Sequence, residues 1–182
     1  MKNTGIVRRL DDLGRIVIPK EIRKTMNITT GEPIEIYVEK DTLILKKYSQ
    51  VADNSSLVEK VAESLQQTLN KGVVITDLES VISAKGNASF LKGDKITSNA
   101  ISIIKEKKSF IITKSEKLTP IKLTFNDESK FATQIIVPII SSNEEGIGLI
   151  ALLDGDNYMV NSNDIKFLKM ASLILSLDKQ SL

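Results

Sequence analysis

The chain has 182 residues, 41% of them hydrophobic, enough for one large or two small packed domains. It contains neither cysteine nor histidine, which excludes disulfides, thiolate nucleophiles, Cys/His zinc sites and histidine general bases. The net charge is only +2, yet residues 1–47 carry ten basic and seven acidic side chains, a net of +3 against −1 for residues 48–182, so an anionic partner is expected at the N-terminal quarter.

In chain order, Ile6–Leu10 reads as a short strand and Asp11–Gly14 as a turn with glycine where a positive φ is needed. Arg15-Ile16-Val17-Ile18 is a β-branched strand. Pro19 suits a helix start, because its missing N–H would have no partner there anyway, and a basic helix is expected from Pro19 to Met26. Ile22 and Met26 share one face of it. Two more strands follow, Pro33–Glu39 and Leu43–Lys47, and Lys46-Lys47 reads as a strand end. A unit this small, without disulfide or metal, needs a second copy to build a core, so a dimer is expected on physical grounds.

Residues 49–56 are polar and small and read as a linker between domains 1–48 and 57–182. Leu57–Leu69 has apolar residues at helical spacing. Val73–Thr76 and Ser80–Ala84 are strands, Ile96–Lys105 a helix, and Ser109–Thr113 and Ile121–Phe125 strands. Phe131–Ile140, interrupted by Pro138, and Ile147–Leu153 form a hairpin across Asn143–Gly146. Ser162–Leu177 is an amphipathic helix whose buried stripe is Phe167, Leu168, Ala171, Ile174 and Leu175, with Lys166, Lys169 and Ser172 on the polar side. This order gives an α+β sandwich with helices flanking an antiparallel sheet.

The segment 1–48 resembles the AbrB-type DNA-binding domain, a swapped-hairpin β-barrel in which two chains interleave. The resemblance rests on Thr4-Gly5-Ile6-Val7-Arg8, Asp12-Leu13-Gly14-Arg15-Ile16-Val17-Ile18-Pro19, Glu21-Ile22-Arg23-Lys24, Glu35-Ile36-Tyr37-Val38 and Leu45-Lys46-Lys47-Tyr48. By the order of its elements, the remainder resembles a GAF-type sensor domain. The combination implies a transcription regulator of spore development, activator or repressor, and not an enzyme. It implies DNA contacts through Arg8, Arg15, Arg23 and Lys24, where the last position commonly holds arginine in the family. Lysine there keeps the charge and loses the planar fork. Arg9 and Lys2 are further phosphate contacts on this reading. A dimer through the N-terminal domain and a tetramer through the helices of the GAF-like domain are implied as well.

Asp11 and Asp12 read either as residues that position the arginines or as a plain acidic turn. In the GAF-like domain Phe90, Phe110, Phe131, Ile135 and Leu149 are candidate lining residues for a small-molecule effector, and a packed core is the simpler reading of each. Lys85-Gly86-Asn87 and Lys92-Gly93-Asp94 lack the spacing of a phosphate loop, and Asp154 with Asp156 reads as a turn. No cofactor is expected. An antitoxin is the alternative, since related barrels cap toxins, although residues 57–182 read as folded rather than as a disordered tail. The opening residues lack the apolar run of a signal peptide, and the most apolar stretches, 135–140 and 146–153, are far short of the ~20 residues that span a bilayer. A cytoplasmic, nucleoid-associated protein without a membrane partner is expected.

Overall fold

The structure, a computed structural model, describes residues 5–113, 119–127, 131–155 and 159–177. It divides into two compact units, Met1–Tyr48 and Ser49–Leu182.

In the first unit, α1 (Lys20–Thr25) follows Pro19, whose φ of −57° is already helical. Strands β1 (Ile34–Glu39) and β2 (Thr42–Lys47) pair antiparallel, from Ile34 opposite Lys47 to Glu39 opposite Thr42. Lys40 turns the hairpin at a φ of 52°. Glu32 ties the unit together: its carboxylate accepts the Thr29 amide at 2.7 Å and pairs with Lys47 at 3.0 Å. Lys47 is therefore occupied within the fold at the end of β2.

The strands expected at Ile6–Leu10 and Arg15–Ile18 do not form in this chain. A strand is defined by a ladder, and the only ladder among the described residues of this unit is β1 with β2. The apolar side chains of the two segments lie open instead, with Val7 83%, Leu10 65% and Val17 73% exposed. Pro19 is the one buried residue among those described here, so this unit has no core of its own within one chain.

The second unit is a five-stranded, fully antiparallel sheet in the order β4-β3-β7-β6-β5, built from β3 (Gly72–Thr76), β4 (Val81–Lys85), β5 (Phe110–Ile112), β6 (Thr133–Ile140) and β7 (Gly146–Asp154). Both faces are covered, which explains why β6 and β7 read as continuous apolar runs rather than alternating ones. Val74, Ile136, Leu149, Ala151 and Leu153 face one core, shared with the 3₁₀ turn Gly86–Leu91 and α4 (Ser98–Glu106). Val73, Ile75, Ile135, Val137, Ile150 and Leu152 face the other, under α2 (Gln50–Asp53), α3 (Ser55–Leu69) and α5 (Ser162–Leu175). Pro138 stands opposite Leu149 of β7, while β5 ends opposite Gln134–Ile136, so the other edge of β6 is open at 138 and the carbonyl there accepts from Ser172 rather than from a strand.

Three further expectations are corrected. Residues 49–56 are not a free tether: Ser49 caps α2 by accepting the Ala52 amide at 3.1 Å, Val51 is 1% exposed, and α3 begins at Ser55. Ile121–Phe125 forms one bridge, Ile96 with Thr124, rather than a strand: its backbone pairs only around that bridge, where the Thr97 amide donates to the Leu123 carbonyl at 2.9 Å and the Phe125 amide to the Lys95 carbonyl at 3.3 Å, and side chains hold the rest. Gln134 accepts the Ile121 amide at 2.9 Å and donates to its carbonyl at 3.0 Å, and Thr97 donates to the Lys122 carbonyl at 2.7 Å. On α5 the buried residues are Asp164, Leu168, Ala171, Ser172 and Leu175; Ile174 is outside them, Phe167 is only partly buried, and Ser172 is buried because it donates to the Pro138 carbonyl at 2.7 Å. No helix among the described residues is long and apolar enough to cross a membrane.

Candidate nucleic-acid interface

Arg8, Arg9, Arg15, Arg23 and Lys24 are all exposed, and all lie on the segment that runs from the first extended stretch through α1. Long cationic side chains on open backbone suit a polyanion, because their charge already stands at the solvent. Arg23 and Lys24 occupy the last turn of α1. The chain then folds back, with the Ile28 amide donating to the Arg23 carbonyl at 2.8 Å and Asn27 at a φ of 51°. Arg8 donates from Nη1 to the Val7 carbonyl at 3.1 Å.

The turn between the two extended stretches is closed by Asp11. Its backbone amide donates to the Arg15 carbonyl at 3.1 Å, and its carbonyl accepts the Gly14 amide at 2.9 Å. Gly14 has a φ of 72°, which only glycine adopts without strain. The Asp11 side chain accepts the Leu13 and Arg15 amides on Oδ1 at 3.0 and 2.8 Å, and Arg15 Nε on Oδ2 at 2.7 Å. The Arg15 amide, then the Arg15 side chain, hold the Asp11 carboxyl below the usual aspartate range. Asp12 is exposed. The two acidic residues of the turn, equivalent by composition, thus differ in structure.

Beside these cations lies an apolar hollow of about 430 Å³, lined by Ile6, Val7, Ile16, Val17, Ile22 and Leu45 among others. Basic residues and open apolar surface therefore occupy the same small unit.

In the second unit four of the five proposed lining residues gather on one side of the sheet, and Ile135 lies on the other. Phe131 and Leu149 belong to one core, and Ile135 belongs to the core on the opposite face of the sheet. Phe110 packs against the edge of the first core, and Phe90, 60% exposed, stacks on Phe131 with ring centres 6.4 Å apart. Leu149 is fully enclosed. Asp154 pairs with Lys71 and accepts the Gly155 amide at 2.7 Å. Thr4, Lys2 and Asp156 lie outside the described residues.

Residues 53–180 match the family described as stage V sporulation protein T C-terminal, transcription factor. Residues 7–53 match a second family, described as antidote-toxin recognition MazE, bacterial antitoxin. The chain is 34% identical to stage V sporulation protein T of Bacillus subtilis (strain 168) over 160 residues, 87% of this chain and 88% of that protein. It is 56% identical to the transition state regulatory protein AbrB of the same organism over 48 residues, 26% of this chain and 50% of that one. Among solved structures, the GAF domain of an Acinetobacter phosphoenolpyruvate-protein phosphotransferase superposes with a TM-score of 0.56 at 11% identity, covering 70% of this chain and 86% of that one, which shows a GAF-type fold in the second unit.

Proposed function

Because the chain belongs to the stage V sporulation protein T family, we propose that it is a DNA-binding transcription regulator of spore development that grips duplex DNA through Arg8, Arg9, Arg15, Arg23 and Lys24. The observation that carries the reading is the exposure of all five cations on the AbrB-like segment 8–24. Arginine's fixed fork matches phosphate oxygens and guanine edges, whereas Lys24 supplies a point charge. With few side chains available to read base edges, DNA shape supplies much of the selectivity.

The DNA-binding form is a dimer made by the first unit. A unit that among its described residues buries only Pro19 while exposing Val7, Leu10, Leu13 and Val17 lacks a core, and a second copy laid against Ile6–Leu10 and Arg15–Ile18 would give those segments both strand partners and cover. The GAF-like unit then joins dimers into a tetramer and is the seat of any effector control, which works by shifting the balance between conformations that bind DNA unequally. The protein acts in the cytoplasm, at the nucleoid.

The antitoxin reading draws on the second family match alone. Against it, the residues beyond the barrel segment form a sheet covered on both faces rather than a tail that folds on a toxin.

The test is a fluorescence-anisotropy titration of a labelled A/T-rich duplex at several salt concentrations, with the wild type and the double variant Arg15→Ala plus Arg23→Ala. If roughly six cations of a dimer neutralise phosphates, log K falls with log salt at a slope of about −5. The double variant should lose binding and flatten the slope. Equal binding by both proteins would refute the reading.

A further inference from the structure

Among the described residues, Arg15 is the one cation of the proposed interface whose head group is held by an acid. Asp11 Oδ1 takes the two backbone amides of the turn, Leu13 at 3.0 Å and Arg15 at 2.8 Å, while Oδ2 is committed to Arg15 Nε at 2.7 Å. The contact spans four residues on one tight turn, and both groups remain accessible, with 71% of the Arg15 side chain and 41% of Asp11 exposed. One edge of the guanidinium is therefore fixed, and its two Nη groups are left to meet a bidentate acceptor.

We propose that Asp11 is a positioning residue for DNA recognition, orienting the Arg15 guanidinium so that its Nη pair is presented to a phosphate or a guanine edge before DNA arrives. The inference rests on the reading of Arg15 as a DNA contact. Its logic is one of opposing signs. A carboxylate beside a phosphate-binding arginine weakens binding through its charge. By ordering a side chain that otherwise loses its rotamer freedom on binding, the same carboxylate strengthens it. Asp12, equally acidic and exposed in the same turn, has no such geometry and supplies only the repulsive part.

The test uses Asp11→Asn in the full-length chain. Asparagine keeps an oxygen for the two backbone amides and replaces Oδ2 with an NH₂ that cannot accept from Nε, so the turn survives and the grip on Arg15 does not. Anisotropy titrations on a labelled A/T-rich duplex would compare wild type, Asp11→Asn, Arg15→Ala and the double variant at low salt. Asp11→Asn should weaken binding about tenfold, since a dimer loses the ordering of two arginines. In the Arg15→Ala background the same substitution should change affinity less than about twofold, or tighten it by removal of a negative charge. Binding by Asp11→Asn as tight as the wild type or tighter would overturn the proposal, as would equal weakening in both backgrounds. If Arg15→Ala alone binds like the wild type, Arg15 is not a contact, and the reading beneath the proposal fails first. In the free protein, a distinct Arg15 Nε–H resonance should merge with the other arginines in Asp11→Asn while the Leu13 amide shift persists. Collapse of the Leu13 shift as well would assign Asp11 to the turn and not to Arg15.

Discussion

Glu59 joins three elements of the second unit. From α3 it reaches Lys85 at the end of β4 at 2.7 Å and Lys92, just past the 3₁₀ turn, at 2.6 Å. Its two oxygens are divided between the two ammonium groups. Hydrogen bonds from Lys85, then Lys92, hold the carboxyl at about 2, against 4.5 for a free glutamate, and Glu59 in turn raises the Lys85 ammonium above 10.5. A depression of that size corresponds to about 3 kcal/mol of stability at neutral pH if nothing screens it. The three side chains are between 31% and 56% exposed, so solvent screening reduces the expected contribution to about 1–1.5 kcal/mol. Because the folded carboxyl titrates below the unfolded one, the contribution is complete above pH 4.5, falls as the pH drops from there, and is gone below about pH 2. The Lys85 side of the same contact is lost as the pH rises through and beyond 10.5. Urea unfolding followed by far-UV circular dichroism, with wild type and Glu59→Gln at a series of pH values, measures the effect as a difference, in which the other carboxylates cancel. The variant should be about 1–1.5 kcal/mol less stable at pH 7 and converge on the wild type near pH 2. A difference that stays constant across the range, or a variant as stable as the wild type at pH 7, would refute the reasoning.

Two packing predictions follow from the same unit. A Cβ at Gly148 would press on the Thr76 carbonyl of the neighbouring strand β3 and on Val51, where backbone cannot yield cheaply, so Gly148→Ala should destabilise by about 2–4 kcal/mol and lower the melting temperature by roughly 5 °C or more. A variant that melts with the wild type would show that β7 can shift there. Gln134 is 1% exposed and meets both backbone groups of Ile121, so Gln134→Leu leaves that amide and carbonyl without partners at a cost of about 2 kcal/mol. Hydrogen exchange at the Ile121 amide should speed by at least roughly tenfold, and unchanged protection would refute the role assigned to Gln134.

The parts of the fold legible in the sequence are those set by local pattern. The apolar runs of β6 and β7, the helical spacing of α3, the proline start of α1 and the turn at Gly14 all follow from periodicity and backbone chemistry. What escaped depends on partners distant in sequence. Ser172 reads as polar surface because no pattern shows that the Pro138 carbonyl sits opposite it. Ile135 and Leu149 read as one lining because their faces are fixed only by the pairing of Ile135 with Leu152 and of Pro138 with Leu149. Ser49–Ser56 reads as a linker by composition, yet Ser49 also donates to Asp77 at 2.9 Å and Gln50 to the Ser176 carbonyl at 3.0 Å, 126 residues away. For the proposed interface, the sequence offers the five cations as residue types at motif positions. The division of labour between Asp11 and Asp12 is not legible there, since it turns on which carboxylate the turn points at Arg15.

The most direct test of the account is a two-dimensional NMR titration of the full-length protein with duplex DNA, following backbone amides and arginine Nε–H groups together. Shifts are expected at Arg8, Arg9, Arg15, Arg23 and Lys24 and in the turn between Leu10 and Ile16, with the amides of β3, β6 and β7 undisturbed by direct contact. Shifts concentrated in the sheet or helices of the second unit, with residues 8–24 unmoved, would contradict it.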